Sequence, residues 1–241
     1  MNALTACKLM NTLDPILSME AALSENANNT DTPSPGGRRK RAIATHTKFW
    51  SNHRTLSIAF LGNPSEELRT GTVNAIRQWQ RSISLTLEFV EGEKGDIRIA
   101  FSDPHNYSYV GTDALLVPAD QQTMNISAEV NDPGFDTVVI HEFGHALGME
   151  HEHQHPDANI PWDTPKVYEY YKNNFQWSEE ETDFNIFKTY PTTEIHKSAY
   201  DTTSIMHYPI PTELTLGEWA VGTNTTISKL DRRLMRKIYP K

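Results

Sequence analysis

The stretch HEFGHALGMEH, residues 141–151, decides the fold of this chain. His141 and His145 are four residues apart, so a helix places both side chains on one face, one turn apart. Two neutral imidazoles at that spacing can bind one Zn2+ at roughly 2.0–2.1 Å each. Gly148 can end the helix, because glycine takes left-handed backbone angles at little cost, and the chain can then bring His151 to the same metal. Three protein ligands leave one position open for water, which predicts a catalytic zinc site.

Glu142 follows the first of these histidines, and its carboxylate can reach a water held by the metal without being a ligand itself. The alternative interpretation is a helix that carries surface histidines. It is disfavoured because the helix is mostly apolar, and buried histidines need a partner, which a metal supplies. The apolar residues are Val138, Val139, Ile140, Phe143, Ala146 and Leu147.

At these residues the chain resembles the metzincin zinc peptidases, whose pattern H-E-x-x-H-x-x-G-x-x-H precedes a Met-turn. Ser204-Ile205-Met206-His207-Tyr208 matches the Met-turn. Glu152 after the third histidine, Tyr200-Asp201 before the turn and Tyr208 two residues after Met206 are similar to astacins. The resemblance covers residues 45–241.

The resemblance implies an α+β fold of the metzincin type. It has a twisted mixed sheet, an active-site helix above the cleft and a mostly irregular lower half with a C-terminal helix. It also implies a zinc-dependent metalloendopeptidase with one Zn2+ per chain, in which Glu142 activates the water. Met206 packs beneath the histidines, and Tyr208 is a fifth zinc ligand that swings away to bind the reaction intermediate. A merely packed tyrosine is the alternative for Tyr208.

The chain departs from astacins at several positions. His155 stands where astacins carry an arginine, and Ala158 and Asn159 replace a basic and an acidic residue. Cys7 is the single cysteine, so no internal disulfide can form. Its thiolate could bind zinc, but Ala6 and Lys8 do not match the cysteine-switch motif of matrix metalloproteinases. We therefore expect a free cysteine of no structural importance.

Charge and hydropathy limit the partners. The net charge of −9 argues against nucleic acid and anionic membranes as partners. The resemblance implies a protein or peptide substrate. No apolar stretch reaches the roughly 18 residues of a membrane span. We expect a monomer. The resemblance favours secretion or export, whereas the absence of a signal peptide and of disulfides leaves a cytoplasmic location open.

Residues 1–43 are predicted to be a pro-segment or linker ahead of a catalytic domain at 44–241. Six apolar residues could line a short helix there, and the polar stretch 24–37 is typical of a flexible linker. The segment ends in the basic run at 38–41. That run is either a solvated domain edge or a processing site. In astacins the new terminal amine lies near the glutamate after the third histidine, here Glu152. The six apolar residues are Leu13, Ile16, Leu17, Met19, Ala22 and Leu23.

The catalytic domain is predicted to begin with strands at 55–61, 85–90 and 96–101, with a helix capped by Ser65 after the first. The stretch 123–127 is either the edge strand that pairs with substrate or a plain core strand. Asp136 is the expected N-cap of the zinc helix. Ser178 and Glu181 predict a capping box, and a last helix begins at Ser228 with Leu230, Leu234 and Ile238 buried.

Three further histidines, His153, His155 and His207, are expected to surround the site or face solvent, not to bind zinc. Asp201 and Ser204 are expected to hold the Met-turn through local hydrogen bonds. Two other functions stay open: a zinc-bound module that binds peptides without cutting them, and an effector protease with one substrate. The intact Glu142 favours an active enzyme, because a binding module needs no general base.

Overall fold

The first half of the catalytic domain contains a five-stranded sheet. The computed structural model describes residues 7, 10, 14–29, 46–190 and 199–241. The sheet order is β2-β1-β3-β5-β4, and every pair is parallel except β4 with β5. The predicted strands at 55–61, 85–90 and 96–101 are confirmed within a residue. The strands are β1 (Thr55–Phe60), β2 (Thr86–Phe89), β3 (Ile97–Ala100), β4 (Tyr107–Ser108) and β5 (Met124–Asn125).

The sheet order decides between the two interpretations of residues 123–127 in favour of a core strand. Residues 123–127 contain β5, which lies between β3 and β4, so β4 is the edge strand. The Asn125 side chain explains the arrangement. Its Oδ1 accepts from the backbone N–H groups of Ser102 and Asp103 at 3.2 Å, and its Nδ2 donates to the carbonyls of Asp103 and His105. These bonds fold the chain back so that β4 runs antiparallel along β5.

Six α-helices are found in the described part of the chain. Ser65 caps α2 through the N–H of Leu68, as predicted. The helix α3 begins at Phe135, and Gly134 is its N-cap, so the predicted N-cap Asp136 lies instead in the first turn. The reason is the tight turn before it, in which Phe135 N–H donates to Asp132 O at 3.0 Å. The helices are α1 (Pro15–Glu25), α2 (Glu66–Ile76), α3 (Phe135–Ala146), α4 (Thr164–Phe175), α5 (Glu179–Thr182) and α6 (Lys229–Ile238).

Two predicted helix starts can be compared directly with the structure. Ser178 and Glu181 form the predicted capping box at α5, and Ser228 with Asp231 forms another at α6. On α6, Ile238 is buried as expected, whereas Leu230 and Leu234 are half-buried.

The lower half has its own apolar cluster, which includes Val167, Tyr171, Trp177, Ile186, Tyr208 and Leu214.

All residues of α3 except Asp136 are buried, and the helix packs against α2 and the strands β4 and β5. Carbonyl groups at a helix end lack partners within the helix. Here Trp50 Nε1 donates to Ala146 O at 2.8 Å, and the Tyr239 hydroxyl donates to Leu147 O at 2.7 Å. Trp79 Nε1 donates to Ile140 O at 3.0 Å. Side chains from distant parts of the chain therefore fix this helix in place.

The predicted N-terminal helix is confirmed as α1, but its buried face differs. Ser18 and Ala22 are buried, while Ile16 and Leu17 are 58% and 49% exposed. Of the stretch predicted as linker from Ser24, the first two residues belong to α1, and a short 3-10 turn at Ala27–Asn29 follows the extended Asn26. Residues 30–45, with the basic run, and Leu13 lie outside the described residues. No helix in the described part of the chain combines the length and apolarity that crossing a membrane requires.

Gly111 lies against the chain segment that enters the domain, and its replacement tests that packing. Its φ is +49°, and a Cβ there would overlap the carbonyl of Lys48, which accepts from Thr112 N–H at 3.0 Å. We expect Gly111→Ala to lower the melting temperature by about 10 °C or more, because backbone strain and overpacking together cost at least about 3 kcal/mol. Thermal denaturation followed by circular dichroism measures it.

Gly62→Ala is the matched control for that substitution. Gly62 also has a positive φ, +73°, but its Cβ would meet no atom within 4 Å. The difference in melting temperature between the two variants measures the effect of the close approach to the Lys48 carbonyl, separately from the cost of the positive φ angle. Equal losses of stability in both variants would show that the Lys48 carbonyl does not restrict this position.

Candidate metal centre

Three histidines meet at the C-terminal end of α3. His141 and His145 lie one turn apart on the helix, with ring centroids separated by 4.9 Å. Gly148, at φ +97°, reverses the chain after the helix and brings the ring of His151 to 4.5 Å from that of His145. All three side chains are buried. The predicted grouping of these three residues is present in the structure.

Backbone carbonyls fix the orientation of the two helix imidazoles. His141 Nδ1 is 2.8 Å from Ile205 O, and His145 Nδ1 is 2.8 Å from Met149 O. A carbonyl oxygen only accepts, so each Nδ1 carries the hydrogen. Each Nε2 then presents a lone pair to the space between the rings, as a metal ligand must.

The unpaired nitrogens show that the cluster fits a metal ion. His141 Nε2 is buried without a hydrogen-bond partner, and His145 Nε2 faces His151 Nε2 at 3.0 Å. Either His151 Nε2 carries a hydrogen and donates it to His145 Nε2, or both nitrogens can bind one cation. The ligand atoms of the three histidines and of Cys7 all lie within 4.8 Å of one another. Nitrogen and sulfur donors in this number are typical of a tetrahedral zinc site.

Burial keeps these imidazoles neutral. Burial lowers the pKa of His141 to about 4. It also lowers the pKa values of His145 and His151 well below the usual range, and the neighbouring histidines lower them further. A metal ligand must be the neutral imidazole. The electrostatic environment therefore suits metal binding near neutral pH.

Glu142 lies within this buried cluster. Its Oε2 has no hydrogen-bond partner. Burial raises the pKa of Glu142 to about 8, and a hydrogen bond with the Cys7 side chain opposes that shift. A divalent cation at the histidines would lower this pKa again, because a bound ion is the largest local charge in such a site. The residue is thus placed to hold and release a proton.

Cys7 is a free cysteine, as predicted, but it occupies the fourth corner of the cluster, so the expectation that it has no structural importance is wrong. It is 1% exposed and contacts the apolar cluster of the lower half. Burial raises the pKa of the Cys7 thiol, and the charge of Glu142 raises it further. A metal ion reverses this, because a coordinating thiol is deprotonated outright. The neighbours of Cys7 in sequence gave no signal for this position.

Tyr208 closes the site from the Met-turn side. Its hydroxyl donates to the backbone carbonyl of Cys7. Its ring lies 4.3 Å from the ring of His151 and 4.5 Å from that of His153, with the latter pair stacked. Tyr208 is therefore at the site, where its hydroxyl is engaged by the N-terminal segment. Its role as a fifth zinc ligand stays a prediction.

The Met-turn lies directly beneath the histidines. Met206 is fully buried, and its sulfur packs so closely against Gly144 that a Cβ at that position would overlap it. The predicted contribution of Ser204 is confirmed, since its Oγ accepts from Met206 N–H at 3.0 Å. Asp201 also acts as predicted, because its Oδ1 accepts from Thr203 N–H at 2.9 Å. Gly144 thus provides the space that the methionine fills.

Asp231 of α6 is the residue that the sequence did not indicate. Its carboxylate accepts from Ser204 Oγ at 2.6 Å and from Ile205 N–H at 2.9 Å. The Ile205 carbonyl in turn orients His141. The capping pattern after Ser228 was a local signal for a helix start, but it did not show that the same carboxylate reaches the Met-turn.

Glu152 is next to the site, not part of the metal cluster. Its Oε1 accepts from Asp201 N–H at 2.8 Å, and its own N–H donates to Met206 O at 3.0 Å. Burial raises the pKa of Glu152 to about 8, and the charges of Asp231 and Asp201 add to that rise. No ion pair to Glu152 is found among the described residues. A cation at this carboxylate would stabilise its charged form.

The three additional histidines are not part of the group of possible metal ligands. His153 Nε2 donates to Asn185 O at 2.9 Å. His207 Nδ1 donates to Tyr208 O at 2.7 Å, and its Nε2 accepts from the Tyr200 hydroxyl at 2.7 Å. His155 is half-buried and accepts from Asp157 N–H at 3.1 Å. The expectation that they surround the site holds for His153 and His207, which are both buried.

Comparisons with known proteins agree with this geometry. Residues 42–240 match the peptidase family described as Astacin. The zinc metalloproteinase nas-38 of Caenorhabditis elegans is 31% identical over 194 residues, which is 74% of this chain and 23% of that protein. The curated relatives are much longer than this chain, which spans 34% of the zinc metalloproteinase dpy-31 of the same organism at 25% identity over 83% of its own length.

Two solved structures have the same fold. The structure of myroilysin superposes with a TM-score of 0.75 and 41% identity, over 80% of this chain and 96% of that one. The hatching enzyme HCE-1, a zinc-protease from Oryzias latipes, superposes with a TM-score of 0.54 and 18% identity, over 80% of this chain and 94% of that one. At this identity the second similarity concerns the fold alone. Together with the match over residues 42–240, the histidine cluster and the Met-turn establish that the chain belongs to the astacin family of zinc metallopeptidases.

Proposed function

We propose that the chain is a zinc-dependent endopeptidase that hydrolyses internal peptide bonds, with the metal held by His141, His145 and His151. The observation that carries this proposal is the position of Glu142. Its buried carboxylate forms a hydrogen bond with the side chain of Cys7, whose sulfur lies with the histidine nitrogens, and its Oε2 has no hydrogen-bond partner. A site that only stored zinc or bound a peptide would have no use for this group.

The chemistry divides between the metal and two side chains. When bound, Zn2+ lowers the pKa of a water molecule to about 7 and polarises the scissile carbonyl. Glu142 accepts the proton of the attacking water at its carboxylate and passes it to the leaving nitrogen. Burial favours the protonated form of this carboxyl group, so the Glu142 carboxylate is a stronger proton acceptor for the attacking water than an exposed carboxylate is.

Tyr208 supplies a hydrogen bond to the oxygen that becomes negative in the transition state. Its hydroxyl already donates to a backbone carbonyl, that of Cys7. A substrate carbonyl at the same place would receive the same bond, which strengthens as charge develops on the oxygen. The stacking of the Tyr208 ring on His153 holds the hydroxyl near the histidines. The N-terminal segment thus occupies part of the position proposed for substrate.

The substrate is a protein or peptide, as the peptidase family implies. Its extended backbone would pair with the sheet edge β4, because edge strands offer unpaired backbone groups that bind without regard to sequence. The edge strand is at residues 107–108, and residues 123–127, for which the sequence left an edge strand and a core strand open, contain the inner strand β5. Tyr208 connects the site to the apolar cluster of the lower half, which contains the further aromatic side chains of Tyr171 and Trp177.

The described state is proposed to be a latent form, in which residues 1–43 act as a pro-segment. Cys7 would fill the fourth position on the zinc ion, so that no water can bind there. We further propose that processing after Arg41 creates an amino terminus that pairs with Glu152. The buried, ion-pair-free carboxylate of Glu152 among the described residues supports this pairing, because an ammonium group would stabilise its charge.

Replacing Glu142 by glutamine tests the catalytic assignment. In a Cys7→Ala background, Glu142→Gln should lower kcat on denatured casein by at least about a hundredfold, because no group remains to move the proton. Zinc content, measured by atomic emission, should be unchanged, because Glu142 is not a ligand. Glu129→Gln makes the same chemical change at an exposed position and should keep full activity. A glutamine variant at position 142 that keeps more than about a tenth of the activity would contradict the assignment.

Cobalt substitution tests the position of Cys7 without measuring activity. When Co2+ replaces zinc in the full chain, a cysteine ligand should give a thiolate-to-cobalt charge-transfer band in the near ultraviolet. The band should vanish in Cys7→Ser, while binding of one Co2+ through the three histidines persists. Met10→Ala, a change in the same segment, should keep the band. If the spectrum of the wild-type chain shows no such band, Cys7 does not bind the metal.

Tyr208→Phe tests the proposed hydrogen bond to the oxyanion. In the Cys7→Ala background we expect kcat to fall about a hundredfold to a thousandfold with little change in KM, because the bond matters mainly in the transition state. Tyr171→Phe is the control, since Tyr171 is a buried tyrosine of the same apolar cluster. Equal effects of the two substitutions would indicate a packing role for Tyr208 instead.

A further inference from the structure

Residues 14–29 dock on a surface of the catalytic domain that is separate from the histidine cluster. This surface, here named the docking surface, consists of residues 46–54 and Asp113. We propose that it is a second binding site for the N-terminal segment and that it keeps the segment bound after the chain is cut between residues 29 and 46. The proposal rests on the latent form proposed above.

The first contact is made by Glu25 at the end of α1. Its carboxylate forms an ion pair with Arg54 and also accepts from Ser51 N–H at 3.0 Å. The Ser51 hydroxyl donates to the Glu25 carbonyl. Arg54 is held from its other side by Asp96 at 2.6 Å. The guanidinium is thus positioned by the catalytic domain itself, and Glu25 binds a site that is already ordered.

The second contact is the buried side chain of Asn29, which binds the backbone of Phe49 through both of its polar atoms. Its Nδ2 donates to Phe49 O at 2.8 Å, and its Oδ1 accepts from Phe49 N–H at 2.9 Å. Thr47 Oγ1 donates to the same oxygen at 2.8 Å. A paired amide of this kind copies the pairing of a β-strand, and breaking it would leave buried backbone groups unsatisfied.

The third contact is made by Ser18, which lies on the buried face of α1. Its hydroxyl donates to Asp113 Oδ1 at 2.5 Å, and the other oxygen of this buried carboxylate pairs with Lys48 at 2.6 Å. Ser18 therefore completes the hydrogen bonding of a charge that is 1% exposed. Its removal would leave that carboxylate oxygen with one partner fewer, which is costly for a buried charge.

All three contacts join residues 18–29 to residues at or after position 47. A cut anywhere between 29 and 46 therefore breaks none of them. The segment also reaches the cluster through Cys7, whose carbonyl accepts from Tyr208. Two separate attachments on one segment act as a bivalent ligand, and each raises the effective concentration of the other. Cutting the connection alone should therefore not expose the active site.

The experiment uses the full zinc-loaded chain with a recognition sequence for a site-specific protease in place of residues 34–37. After the cut, native mass spectrometry and size-exclusion chromatography at micromolar concentration measure whether the two pieces remain together. We expect the wild-type pieces to stay associated. Glu25→Ala combined with Asn29→Ala should raise their dissociation constant at least about tenfold, because it removes one charged and one buried bonding group.

Glu20→Ala combined with Asn28→Ala is the matched control. Both residues are exposed on the same segment, and the two substitutions change the same residue types. The control pieces should remain together like the wild type. Circular dichroism of each uncut chain shows whether every variant folds. Separation of the cut wild-type pieces, or equal release of the control and the test variant, would overturn the proposal.

Casein cleavage by the same samples separates this proposal from the latent form. If the associated wild-type pieces are inactive and the released test variant is active, both proposals stand. If the pieces stay together and the complex cuts casein, the docking surface stands, but Cys7 does not block the site. If the pieces separate and activity appears, the docking surface fails and the latent form stands.

Discussion

The turn at Gly148 is the constraint on which the metal centre depends. A helix can present His141 and His145 by spacing alone, but His151 reaches them only if the chain reverses immediately. Gly148 does so at φ +97°, and Phe49 packs so close that a Cβ would lie 2.6 Å from its ring. The turn is therefore fixed both by backbone angle and by packing against the segment that enters the domain.

Hydrogen bonds from distant parts of the chain hold the imidazoles around this turn. The Ile205 carbonyl orients His141, and Asp231 of the last helix holds Ile205 in place. Met206 fills the space that Gly144 leaves beneath the rings. The site is thus built on a support that spans the second half of the chain, as precise metal geometry requires. The same support explains why the last helix carries a buried aspartate in its first turn.

Local sequence patterns correctly predicted the features that depend on interactions between residues close together in the chain. The spacing of the histidines, the serine caps and the longer strands all appear where their residues indicate. The sequence left the edge strand undecided, because two residues carry no periodic signal and Asn125 sets its position by folding back the loop before it. The buried face of α1 was mispredicted. Its apolar residues suggested one face, but the partner of Ser18 is a carboxylate 95 residues away.

The position of Cys7 also could not be predicted from the residues next to it, and the structure offers a reason. A thiol at the metal is usually recognised by a motif around the cysteine, and no such motif is present here. In this chain the docking of α1 supplies the positioning that a local motif would otherwise supply. In the proposed latent form, helix and thiol are parts of one ligand, with the helix docked at residues 46–54 and Asp113 and the sulfur of Cys7 near the ligand atoms of the three histidines. Because docking raises the effective concentration of the thiol, the residues next to Cys7 need no particular identity. The residues that position the cysteine in this proposal are therefore the polar residues of α1 and of the turn after it, which bind the docking surface.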